Sequence, residues 1–256
     1  MRIVVKVGTS TLAYSTGHIN IRHIEKLSKV LSDLKNAGHE VILVSSGAIG
    51  MGVGKLQLDS RPSDMPTKQA AAAVGQCELM YVYDKLFSEY NHTVAQLLLT
   101  GVDMQHPERL NNFKLTTNRL IELGALPIIN ENDTVATDEI SVGDNDTLAA
   151  IVSVNVGAEL LVLLTDINGL YTSDPRSDKE AKLIPVVEEI NEEIKLAAGG
   201  KGSNLGTGGM ATKLKAAEIC MEKGTDVVIA DGDDPDVLYD IIEGKQVGTR
   251  FVGKRK

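Results

Sequence analysis

Cysteine is scarce in this chain. Cys77 and Cys220 lie far apart in segments of helical character, with no metal-ligand spacing, so a disulfide framework is excluded and two reduced thiols are expected. His18, His23, His39, His92 and His106 are scattered as well, which leaves zinc chemistry and a Cys/His nucleophile without support. Long apolar runs are missing. The first, after Met1-Arg2, ends at Val7 and is interrupted by Lys6. It is too short for a secretory signal core or a membrane span, and the expectation is a cytoplasmic protein with no membrane contact. Positive charge is also in deficit: 26 Lys and Arg against 35 Asp and Glu leave a net charge of −9. That balance argues against general nucleic-acid binding, and Lys254-Arg255-Lys256 is too short a tail to alter it. An anionic ligand would have to be met by local cations, so each lysine beside a glycine-rich turn carries interest.

What is present is an ordinary globular composition, 43% hydrophobic and 24% charged over 256 residues, enough for one large domain or two small ones. Strand-length apolar runs stand at 3–7, 41–45, 93–99, 126–130, 159–165 and 226–230. Between them the periodicity predicts helices. One covers 21–36, capped by Asn20 and stopped at Gly38, and a long alanine-rich one covers 67–89, broken or capped near Gly75. Another covers 107–123 with Pro107 in its first turn, and more follow at 145–156, 210–223 and 234–243. Short Val/Ile/Leu-rich strands alternating with helices predict a three-layer α/β/α sandwich with a largely parallel central sheet. The polar stretch 173–182 reads as a surface excursion.

In such sheets ligands sit at the carboxyl ends of the strands, and the informative residues follow the strands here. Lys6 ends the first strand just before Gly8-Thr9-Ser10. Residues 45–54, SSGAIGMGVG, follow the second; their glycines allow backbone N–H groups to converge on an anion, and the reading is an anion cradle rather than a plain flexible turn. Residues 205–213, LGTGGMATK, hold a GxGxxA pattern. No convincing strand precedes it, so a dinucleotide fingerprint does not fit, and no Walker A loop occurs in the chain. What remains is a glycine-rich loop opening a helix with Lys213 in its first turn, a phosphate-binding arrangement. Asn130-Glu131-Asn132-Asp133 and Asp144-Asn145-Asp146 form an acidic cluster. Either Asp144 or Asn145 could serve simply as a helix cap; the segments could equally hold a substrate ammonium, orient the lysines or contact a metal. Thr165-Asp166 offers a hydroxyl and a carboxylate to a ribose or base.

In this order the stretches VVKVGTS (4–10), VSSGAIG (44–50), KQAAAAVGQ (68–76), INENDTVAT (129–137), VGDNDTLAA (142–150), LLLTDINGLYTSDPR (163–176), GTGGMATK (206–213) and VGTRF (247–251) resemble the amino-acid kinase family over essentially the whole chain. INENDTVAT and VGDNDT are closest to its glutamate-phosphorylating branch. The resemblance implies transfer of phosphate from ATP to the γ-carboxylate of L-glutamate, the first step towards proline. It implies Lys6, Lys213 and Asp144 as catalytic, with Asp144 orienting the two lysines. Ser46, Gly47, Asn130, Asp133, Asn145 and Asp146 would bind substrate, Asp146 near the ammonium. Lys6, Gly8, Thr165, Asp166, Thr207, Gly208, Gly209, Met210, Ala211, Thr212 and Lys213 would line the ATP site. Mg²⁺ would be held mainly through the ATP phosphates, with no protein ligand assigned.

Many members of that branch add a carboxy-terminal PUA domain. The expectation here is a lone catalytic domain over 1–256, with an N-terminal glutamate-binding lobe and a C-terminal ATP-binding lobe. A homo-oligomer, dimer or tetramer, and functional coupling to γ-glutamyl phosphate reductase are further expectations of the resemblance. The alternatives are a sibling kinase acting on acetylglutamate, aspartate, carbamate or UMP, a nicotinamide oxidoreductase, and an inactive nucleotide sensor.

Overall fold

Strands built almost wholly of Val, Ile and Leu form the centre of the molecule. The structure, a computed structural model, describes residues 1–14, 18–136, 144–199 and 209–255. Its strands are β1 (Arg2–Val7), β2 (Glu40–Ser45), β3 (Val94–Leu99), β4 (Leu126–Glu131), β5 (Leu160–Thr165), β6 (Val186–Val187), β7 (Asp226–Asp231) and β8 (Thr249–Phe251). They form one sheet in the order β3-β4-β2-β1-β5-β7-β8-β6. Every pairing is parallel except that of β7 with β8. The helices are α1 (Thr9–Leu12), α2 (Ile21–Asn36), α3 (Ala48–Lys55), α4 (Met65–Ser88), α5 (Gly101–Gln105), α6 (Pro107–Glu122), α7 (Asn145–Val156), α8 (Glu192–Ala197), α9 (Met210–Met221) and α10 (Val237–Ile242). None is long and apolar enough to cross a membrane among the described residues.

The sheet is covered on both faces, and residue parity decides which face each side chain joins. Val4, Ile42, Val44, Ile129, Leu161 and Leu163 pack with Phe113 of α6, Leu148 and Val152 of α7, and Leu214 and Cys220 of α9. Ile3, Val5, Val7, Leu43, Ile128 and Val162 pack with Leu27 and Leu31 of α2, Leu79 and Tyr83 of α4, and Leu238 of α10. Each such fully buried side chain contributes roughly 1.5–3 kcal/mol relative to exposure. Lys6 shares the parity of Val4, so its side chain leaves the sheet on the α7/α9 side.

The helix limits follow their caps. Asn20 accepts from His23 N–H, Asp64 from Thr67 N–H and Asp144 from Thr147 N–H. Gly157 ends α7 with φ 68°, the left-handed geometry that glycine adopts without strain.

Three expectations change. Helix α4 runs unbroken through Gly75. Residues 48–55 of the glycine-rich stretch are helical rather than a loop. Both changes have one cause, because α3 and α4 cross in contact at their glycines. A Cβ on Gly75 would lie 1.7 Å from the Ala48 carbonyl oxygen, and one on Gly52 would lie 1.8 Å from that of Ala71. Two of these glycines therefore serve close backbone approach, not flexibility. The third change is the addition of β6 and β8, which close the sheet edge beyond β7.

Candidate functional site

The carboxyl ends of β1, β2, β4 and β5 open onto a cavity of about 350 Å³, whose lining includes Lys6, Ser46, Asn130, Asp133, Asn145, Thr165 and Lys213. At its base lies a three-residue ionic cluster. Lys6 Nζ stands 2.8 Å from Asp146 Oδ1, and Lys213 Nζ stands 3.1 Å from Asp146 Oδ2. The Lys6 contact is oblique, so Oδ1 is charge-paired without an aligned hydrogen bond. Asp146 is 1% exposed. Burial pushes its carboxyl up, but the Lys6 and Lys213 charges outweigh that and hold it below the usual carboxylate range. Thr212 Oγ1 lies 2.9 Å from Asp146 Oδ2 and 2.7 Å from the Gly209 carbonyl oxygen.

This corrects one expectation. The carboxylate between the two lysines is Asp146, not Asp144. Asp144 sits in extended backbone (φ −167°) at the cap position and accepts from Thr147 N–H at 2.8 Å. Asp146 lies two residues on, inside the first helical turn, and projects towards β1 and α9. With both oxygens committed to lysines and Thr212, Asp146 is also poorly suited to a substrate ammonium.

The helix α3 begins at this cavity. Gly47 caps it with φ 103°, a conformation that side chains beyond glycine rarely adopt. The first intrahelical bond is from Met51 N–H to the Gly47 carbonyl, so the N–H groups of Ala48, Ile49 and Gly50 have no acceptor within the helix. All three residues line the cavity. The stretch 45–54, expected as an anion cradle, thus presents a helix N-terminus to the cavity. Gly8 precedes α1 with ordinary extended backbone and lines the same space.

The substrate-side residues form a polar chain. Asn145 Nδ2 donates to Ser46 Oγ at 2.7 Å and to Asn130 Oδ1 at 3.0 Å. Asp133 faces the cavity from the turn after β4. Burial raises its carboxyl, the Glu131 charge adds to the rise, and Arg61 opposes it, leaving the group at about 6. Thr165 donates to Asp166 Oδ1 at 3.1 Å, and Asp166 lies 3.6 Å from Arg176. Gly209, Met210, Ala211 and Thr212 open α9 but are not among the lining residues, whereas Lys213 is. Thr207 and Gly208 lie outside the described residues. No group of three or more His, Cys, Asp or Glu residues is arranged to hold a metal ion among the described residues.

The polar side chains that line the cavity but are absent from the sequence-based site are Thr9, Ser10, Arg61 and Glu131. The hydroxyls of Thr9 and Ser10 and the carboxylate of Glu131 stood inside motifs already singled out. Arg61 lies in LDSRPSD, where no spacing or glycine pattern marks it.

Residues 1–231 match the model of the amino acid kinase family. The chain is 53% identical over 258 residues to the glutamate 5-kinase of Clostridium perfringens, covering 99% of this chain and 96% of that protein. It is 55% identical over 249 residues to that of Clostridium tetani, covering 97% and 93%. Among solved structures, the isopentenyl phosphate kinase of T. acidophilum superposes with a TM-score of 0.67 at 16% identity, covering 98% of this chain and 100% of that one. The UMP kinase of Bacillus anthracis gives 0.66 at 16%, covering 99% and 96%. At that identity the two structures speak to the fold alone.

Proposed function

The chain belongs to the amino acid kinase family, and from that premise we propose that it transfers the γ-phosphoryl group of ATP to the γ-carboxylate of L-glutamate, the first step towards proline. Full-length identity above half to glutamate 5-kinases supports the substrate assignment. The observation that carries the chemistry is the pair of buried lysines, Lys6 and Lys213, gathered on Asp146 beside a helix N-terminus and an open cavity.

A glutamate γ-carboxylate has an ordinary pKa of about 4.3, so the nucleophile is ionised near neutral pH and needs no general base. The barrier is electrostatic, because an anion must approach a polyanionic triphosphate in line. Lys6 and Lys213 face the transferring group with fixed positive charge, and the N–H groups of Ala48, Ile49 and Gly50, which have no acceptor within α3, add aligned dipoles. Asp146 holds the two ammonium groups in place, so little reorganisation is needed as charge shifts during transfer. Asp133 is the carboxylate suited to the substrate ammonium, with Ser46, Asn130 and Asn145 around the amino-acid head. Thr165, Asp166 and the segment 207–213 suit the nucleotide. Mg²⁺ would be held mainly through the ATP phosphates, where it would offset their charge, since no acidic group arranged to hold a metal ion stands among the described residues. The family resemblance further supports a homo-oligomer, which light scattering on the purified protein reads directly.

The test is incubation with ATP, Mg²⁺, hydroxylamine and L-glutamate, following both ADP and γ-glutamyl hydroxamate. Parallel reactions take N-acetylglutamate, aspartate or UMP. Hydroxamate from glutamate alone is the expected result. Turnover only with another acceptor would overturn the substrate assignment and keep the kinase.

A further inference from the structure

A run of amide hydrogen bonds begins at a backbone group of β4 and ends in the cavity. The Glu131 N–H donates to Asn130 Oδ1 at 2.9 Å. A backbone N–H can only donate, so this bond fixes which end of the Asn130 amide is oxygen. Asn130 Nδ2 must then face α4, where it donates to Gln76 Oε1 at 2.9 Å. Both residues are buried, at 2% and 7% exposure. On its other side Asn130 Oδ1 accepts from Asn145 Nδ2, which also donates to Ser46 Oγ.

Polarity propagates along this run. Asn145 has both amide protons committed, so its Oδ1 remains as an acceptor. Ser46 Oγ accepts from Asn145 and keeps its own proton to donate. The cavity thereby offers an acceptor suited to an ammonium and a donor suited to a carboxylate. Gln76 does not itself line the cavity. Its Nε2 has no hydrogen-bond partner among the described residues, so the oxygen is the working end of this amide. The glycine contact of α3 with α4 at Gly75 brings the following residue within reach of β4.

We propose that Gln76 is a positioning residue: its Oε1 anchors Asn130, and through Asn130 it determines which atoms Asn145 and Ser46 present to the amino-acid substrate. This deepens, and rests on, the glutamate reading above. The run from Gln76 reaches Asn130, Asn145 and Ser46 and, among the described residues, makes no hydrogen bond to Lys6 or Lys213, so its effect is expected on the amino acid rather than on ATP.

Two variants give opposite orders under the two accounts. Gln76→Met keeps the volume and removes the acceptor; Gln76→Glu keeps an oxygen for Asn130 Nδ2 but introduces a carboxyl. Anchoring predicts that Gln76→Met raises KM for glutamate about tenfold or more, with kcat and the ATP KM within about threefold, while Gln76→Glu stays near the parent. A space-filling role predicts the reverse, with Met tolerated and Glu impaired, and that order overturns the proposal. Side-chain amide NMR on the intact protein gives a readout independent of activity. The Asn130 and Asn145 amide protons should exchange faster with water in Gln76→Met, and unchanged exchange overturns the proposal. If the parent protein makes no hydroxamate from glutamate, the substrate reading fails, and the NMR arm still decides whether Gln76 anchors the run.

Discussion

Acidification should weaken glutamate capture through one residue. Asp133 reaches the cavity with its carboxyl raised to about 6 by burial and by Glu131. Only the ionised form attracts an ammonium. Titration then leaves Asp133 about nine-tenths charged near pH 7 and about one-tenth charged near pH 5. The value of kcat/KM for glutamate reports the free enzyme, so it should fall about tenfold across that window. The substrate γ-carboxyl, with a pKa near 4.3, adds only a minor loss there. Asp133→Asn should have a low kcat/KM and lack this limb. Stability moves the opposite way. A raised carboxyl means that the folded state takes up the proton more readily than the unfolded chain, so ionising Asp133 costs stability. That cost is absent below the unfolded value of 3.8 and complete above about 6. Removing it in Asp133→Asn should stabilise the ligand-free protein by about 1–3 kcal/mol near neutral pH, with little gain near pH 4. The assay is initial-rate hydroxamate formation over a pH series, paired with thermal melts of the ligand-free protein. A flat kcat/KM from pH 7 to about 5 in the parent, or an identical limb in Asp133→Asn, would refute the reasoning.

Other substitutions separate charge from packing. Lys6→Ala or Lys213→Ala should each reduce kcat by a few hundredfold, about 3–4 kcal/mol of lost charge stabilisation, measured as ADP release at saturating substrates. Asp146→Asn leaves two buried ammonium groups without their carboxylate, and urea melts should show a loss of about 3–5 kcal/mol beyond any kinetic effect. Gly75→Ala would force a methyl group to 1.7 Å from the Ala48 carbonyl; α3 and α4 must separate, and a lowered Tm with raised glutamate KM is the expected pair of readings.

The central strands were legible because a strand buried on both faces must be a nearly unbroken apolar run, and β1, β2, β5 and β7 are such runs. β6 and β8 were not. β6 has two residues at the end of a polar stretch, and β8 carries Arg250 at its middle, so neither shows an apolar period. The glycines of α3 and α4 misled for a physical reason: Gly52 and Gly75 mark close approach between helices, which a linear pattern cannot distinguish from a turn. The two lysines were readable as phosphate-facing cations from their strand-end and helix-start positions. Which of Asp144 and Asp146 joins them was not readable, because the two lie within one helical turn. Only the placement of the cap decides which carboxylate turns inward. Arg61 and the Gln76 anchor depend on how loops and helices meet in space, and single-sequence spacing holds no trace of that.

The lysines that share Asp146 come from parts of the polypeptide far apart in sequence, one on β1 and one on α9. During synthesis, at about 5–20 residues per second, Lys6 leaves the ribosome long before its partner. The strand bearing it must also wait for β5, its second neighbour in the sheet. Pairings so distant in sequence form slowly, because chain closure precedes any gain from contact. The ammonium pair therefore comes together only when the chain has emerged and docked through α9. A product that ends before α9, or in which α9 has not docked, lacks the lysine pair on which the proposed transfer depends.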